Sequence, residues 1–184
     1  MCPFQASLRT GQTLQYPARR QGTPMTPTEA AAALFNAMPQ PITVSQLEEY
    51  GIESSESSAK QIAREILSLN LYWILAATDA HILTKYRSAV KGALFESIQK
   101  EWWASGRLGT DTWNEYQSEL TERRERYAHL VDQEGISHVG ICAETASLME
   151  DNGIISPEHR EKLLVLLIDY APASEYGRLL DEVG

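Results

Sequence analysis

Two pairs of residues in this sequence have the types and spacing that chemistry requires. His138 and Cys142 stand four apart, hence on one face of any helix that carries them, and imidazole and thiolate are common zinc donors. Glu134 lies one turn before them and Glu144 just beyond. A tetrahedral site would still need a donor from elsewhere, for which His129, Asp132, His81 and Asp79 are the candidates. The competing account makes Cys142 a small buried hydrophobe and His138 a residue at a helix start or on the surface. The second account is preferred: Cys2 is the only other cysteine, and neither a paired-cysteine motif nor the Glu-x-x-His pairs of di-iron bundles occur. No metal and no other cofactor is expected.

Asp79 and His81 are the second pair. They interrupt a strongly apolar stretch, where an ionisable group is costly unless it is partnered. In a helix continuous through them they could orient a small apolar ligand, or act as acid and base, in a cavity shared with Trp73 and Tyr86. If the helix breaks at Thr78, Asp79 becomes an acid at a helix N-terminus and His81 a first-turn residue. The adjacent tryptophans Trp102 and Trp103 offer a third kind of chemistry. Neighbours on a helix point about 100° apart, so burying both requires enclosure on two sides. One of them is therefore expected to be partly exposed; the pair either packs against Trp113 across the glycine loop at 106–109, anchors a protein partner, or gives an aromatic lining for a ligand.

The elements that must position these side chains read as helices throughout. Thr26, Pro27 and Glu29 form a helix start in the manner of a capping box, and Pro39 and Pro41 stop the helix it opens. A short helix over 45–50 closes at Gly51. Serines 54, 55, 57 and 58 then precede a proline-free stretch, 59–103, with apolar or small residues at Ile62, Ile66, Leu69, Trp73, Ala76 and Ala80, continuing to Leu83, Val90 and Leu94. One helix of that length would span about 68 Å, long for a compact domain, so a break is expected at Thr78 and Asp79. Further helices are predicted over 112–133, capped by Thr110 or Asp111, and over 137–150. The charged run Glu122 to Arg126 is read as a solvated face. Ser156, Pro157 and Glu158 start a helix to Tyr170 whose apolar run at 163–168 predicts burial all round, and a short helix ends the chain at 174–183. The fold class is all-α: a compact bundle of about six to eight helices with a long central helical segment.

The first 27 residues hold four prolines, two glycines and three arginines with no acid, and they read as a disordered arm, or a start-site artefact ahead of Met25. The chain carries −9 in all, so residues 28–184, read as one helical domain, carry −12. Such a body repels phosphate, which argues against nucleic acid, and a helix-turn-helix reading of 43–67 offers only Lys60 and Arg64 against three glutamates. No apolar run is long enough for a signal peptide or a membrane span, and two isolated cysteines suit a reducing cytoplasm. With no phosphate loop, nucleophile elbow or calcium loop, the leading expectation is a non-enzymatic interaction module, regulatory, adaptor or inhibitor-like. It would bind a protein partner, basic by charge complementarity, or its own copy, through Trp102 and Trp103. The alternative is a bundle enclosing an apolar ligand or metal near Trp73, Asp79, His81 and Tyr86.

Overall fold

A computed structural model describes residues 25–109 and 111–181. The expected N-terminal arm therefore lies, up to residue 24, outside the described residues. The remainder is all-α, with no strand among the described residues. Helix α1 (Pro27–Ala37) starts as its sequence dictates. The Thr26 hydroxyl accepts from the Glu29 amide at 3.2 Å while the Glu29 carboxylate accepts from the Thr26 amide at 2.8 Å. Those hydrogen bonds hold the Glu29 carboxyl below its ordinary pKa. Helix α2 (Val44–Glu49) repeats the device with Thr43 and Gln46, and Gly51 leaves it at φ +71, a conformation costly for any residue with a Cβ.

Helix α3 (Glu56–His81) is the spine. Its 26 residues span about 39 Å, capped at the start by the Ser55 hydroxyl. The break expected at Thr78 and Asp79 does not occur there. The Thr78 hydroxyl, on a buried side chain, turns back onto the Ile74 carbonyl at 2.8 Å, so it serves the helix instead of capping a new one. The chain leaves the helix at Ile82 (φ −94, ψ 135), and α4 (Thr84–Ile98) begins after Leu83. A π-helical turn, Gln99–Trp103, extends α4, marked by the Ala104 amide reaching the Gln99 carbonyl at 2.9 Å.

Helix α5 (Trp113–Asp132) is capped by Thr112 with Glu115, one or two residues later than expected, because Asp111 turns away to Arg64. Helix α6 (His138–Asp151) starts at Ser137. A Cβ at Gly140 would come within 2.2 Å of the Ile136 side chain, so only glycine lets the preceding loop close over this first turn. After a 3₁₀ turn (Pro157–His159), α7 (Arg160–Tyr170) buries Leu163, Leu166 and Leu167 but leaves Val165 54% exposed, correcting the expectation of burial all round. Helix α8 (Ala173–Asp181) closes over α3 with Tyr176 and Leu180.

One polar residue ties the spine to its cover. Asn70, fully buried in α3, donates to the Ile66 and Tyr170 carbonyls at 2.8 Å each and accepts from the Tyr176 hydroxyl. An unpaired amide there would cost roughly 1–3 kcal/mol, so the three bonds fix how α7 ends and where α8 lies. Around this point the apolar faces of α1, α3, α4, α5, α6, α7 and α8 form one core.

Candidate functional site

The continuity of α3 decides the position of the ionisable pair singled out by the sequence. Asp79 falls in the last turn of the helix, where a carboxylate opposes the negative end of the dipole. Helix α4 supplies the compensation: Lys91 Nζ lies 2.7 and 2.9 Å from the two carboxylate oxygens, and Arg87 Nε 3.9 Å from one of them. His81, at the C-terminal end of α3, places Nδ1 2.7 Å from the Asp181 carboxylate of α8. Both pairs are partly exposed and join elements at the surface of the bundle.

Trp73 is on another side of the spine. Six residues separate it from Asp79, about 240° around the helix at 100° per residue. Its ring meets Tyr72 at 4.9 Å and the edge of His138 at 5.6 Å. Tyr86 lies in the first turn of α4, 43% exposed, with the Lys85 ammonium 4.6 Å from its ring centre. Trp73, Asp79, His81 and Tyr86 thus have separate neighbours and are not brought together around one cavity. A cleft of about 640 Å³ lies elsewhere, between the 40–46 segment, the start of α3 and the loop at 105–107.

His138 opens α6 with its Nδ1 buried and without a hydrogen-bond partner, and burial lowers its pKa, which favours the neutral ring. Cys142 is fully buried, and burial pushes its thiol up to about 11. A protonated thiol with no cation beside it is a packing residue, not a nucleophile. Among the described residues no three His, Cys, Asp or Glu side chains converge as a metal-ligand group.

The tryptophan pair is divided between the core and its edge. Trp102 is 3% exposed and stacks on Phe35 of α1 at 4.9 Å. Trp103 packs against Trp113 at 5.4 Å and Tyr116 at 5.0 Å, and its Nε1 donates to the Asp111 carbonyl at 2.9 Å. The wider i to i+5 turn brings successive side chains closer in direction than an α-helix does, so Trp102 enters the bundle while Trp103 packs along its edge. Of the two residues expected at a contact, Trp102 is thus in the core and Trp103 half-buried at its edge, and these rings hold α1, α4 and α5 together.

Two features escaped the sequence. Arg123, read as part of a solvated run, turns toward α3, where it pairs with Glu65 and with Glu119 at 2.8 Å. The two carboxylates keep the guanidinium protonated despite its burial. Arg64 joins the same network through Asp111 and Glu119, so α3, α5 and the loop before α5 meet in one line of charges. The other feature is Leu83. The apolar stripe counts it as core, yet it is 66% exposed, and residues 83–86 all face solvent at the corner between α3 and α4. No described helix is long and apolar enough to cross a membrane. Comparison with protein-family models, curated proteins and solved structures finds no match to this chain.

Proposed function

We propose that the protein is a non-enzymatic helical interaction module, of the regulatory, adaptor or inhibitor-like kind, presenting a rigid surface to a protein partner. The observation that supports this reading best is the position of Leu83 and Tyr86. Two large apolar side chains stand three residues apart in solvent, while Trp102 is in the core and Trp103 packs, half-buried, against it. Single exposed apolar residues are ordinary, but adjacent ones on a fixed helix corner form an anchor of the kind found at protein contacts. The many paired charges elsewhere on the bundle fit a scaffold role. The −12 of residues 28–184 adds long-range steering of partners whose overall charge is positive.

Purification of the full chain from its native host tests this directly. A protein recovered in fixed proportion, and released by high salt, is the expected result. Recovery of the chain alone, as a monomer carrying a stoichiometric small molecule, would overturn it.

A further inference from the structure

The corner between α3 and α4 has a chemistry of its own, opposite in sign to the molecule as a whole. From Ile82 to Phe95 the sequence contains Lys85, Arg87 and Lys91 and no acid. The nearby carboxylates are occupied: Asp79 by Lys91 and Arg87, and Asp181 by His81. Arg87 also donates from Nε to the Ile82 carbonyl at 2.8 Å, which fixes the bend. Lys85 alone keeps a free ammonium. It has no carboxylate within ion-pair distance among the described residues, and it rests over the ring of Tyr86.

The fold gives no reason for leucine at position 83. The residue is the N-cap of α4, it makes no capping hydrogen bond, and it is two-thirds exposed. Serine, aspartate or asparagine would stabilise the helix start and expose no apolar surface. Leucine at this place is disfavoured twice, by capping and by hydration, and Tyr86 one turn on is disfavoured by hydration.

We infer that Leu83, Lys85 and Tyr86 form a docking corner for a protein partner that presents an apolar depression flanked by carboxylates. The inference rests on the interaction-module reading and specifies its contact. Leu83 and Tyr86 fill the depression, and Lys85 meets the acid, so the partner is locally acidic even where its overall charge is positive. Two anchors and one ion pair fit a small, transient interface. A second copy is a poor occupant: a two-fold contact through this corner would set Lys85 against its own counterpart. An anionic membrane is a poor one as well, since the body of −12 is repelled by it.

Selection of random dodecapeptides on the immobilised full chain, followed by affinity measurement of the enriched peptides, tests the inference. Expected are peptides that combine aromatic or aliphatic residues with Asp or Glu. Their affinity should fall roughly 30-fold with Leu83→Ser, the effect of losing one anchor, while the melting temperature is kept. Lys85→Glu should reverse the selected charge from acidic to basic. Enriched peptides that bind wild type, L83S and K85E equally would overturn the docking corner and leave the interaction-module reading standing. Failure to enrich any peptide, together with recovery of the chain alone from its host, would remove both. A dimer in ultracentrifugation abolished by L83S would assign the corner to a second copy. Co-sedimentation with vesicles of phosphatidylcholine and phosphatidylserine, lost in L83S, would assign it to lipid. Either result would overturn the protein partner.

Discussion

The two ends of α4 carry similar apolar side chains in opposite surroundings. At its N-terminal end Leu83 and Tyr86 face water, whereas at its C-terminal extension Trp102 is buried in the core and Trp103 packs, half-buried, against it. By residue type the tryptophans are the better candidates for a contact surface, and by position they are the worse. The difference arises from two local backbone events, an extended residue at Ile82 and a π-helical turn at Gln99–Trp103, that rotate side chains away from the directions a single long helix would give them. Under the proposed docking corner, stability and contact belong to opposite ends of one helix.

Substitution separates the two ends. Trp102→Ala removes a buried ring that stacks on Phe35 and should destabilise the fold by about 3–5 kcal/mol, read from urea denaturation. A loss below about 1 kcal/mol would mean that the ring is not part of the core. Arg123→Ala asks the same question of a charge turned inward. It leaves the Glu65 carboxylate, 13% exposed, without its cation, and about 2–3 kcal/mol should be lost, less than for a fully buried pair. The loss should be far larger than for the exposed neighbour Arg124→Ala. Leu83→Ser, at the outward end, should be neutral or stabilising by up to about 1 kcal/mol, because it supplies a capping hydroxyl. A melting temperature lowered by several degrees would place Leu83 in the core after all.

The smallest effect belongs to His138, where inside and outside can be titrated. Its folded-state pKa lies below the ordinary 6.5, so the unfolded chain binds the proton more readily. The stability held by the neutral ring is fully present above about pH 6.5 and is lost as pH falls through the lowered folded value. Comparing the wild type with His138→Phe over this interval should show a steeper acid loss in the wild type. Parallel curves would show that the ring is solvated.

These contrasts also explain what was legible in the sequence. The helix starts at Thr26-Pro27-Thr28-Glu29 and Ser137 act through neighbours within three residues, so local chemistry announced them. The end of α3 did not. Thr78 is a good capping residue in isolation, and only its burial among other helices turns its hydroxyl onto Ile74. The apolar stripe runs on past Ile82 in sequence, which made Leu83 look like core when the register had already been lost. A charge run looks the same whether Arg123 points to water or to Glu65, and the partner stands 58 residues away. Asn70 gave no signal either, since its bonds join α3 to Tyr170 and Tyr176, a hundred or more residues on. Val165 stayed outside because α7 lies at the margin of the bundle, a matter of topology that periodicity does not carry.

The division of labour along α4 is tested most directly by nuclear magnetic resonance of the full chain titrated with a peptide enriched on it. The backbone amides of residues 82–87 should shift in proportion to occupancy, while the indole N–H signals of Trp102 and Trp103 stay in place. Movement of the two indole signals with a silent 82–87 segment would return the contact to the tryptophans and contradict the account.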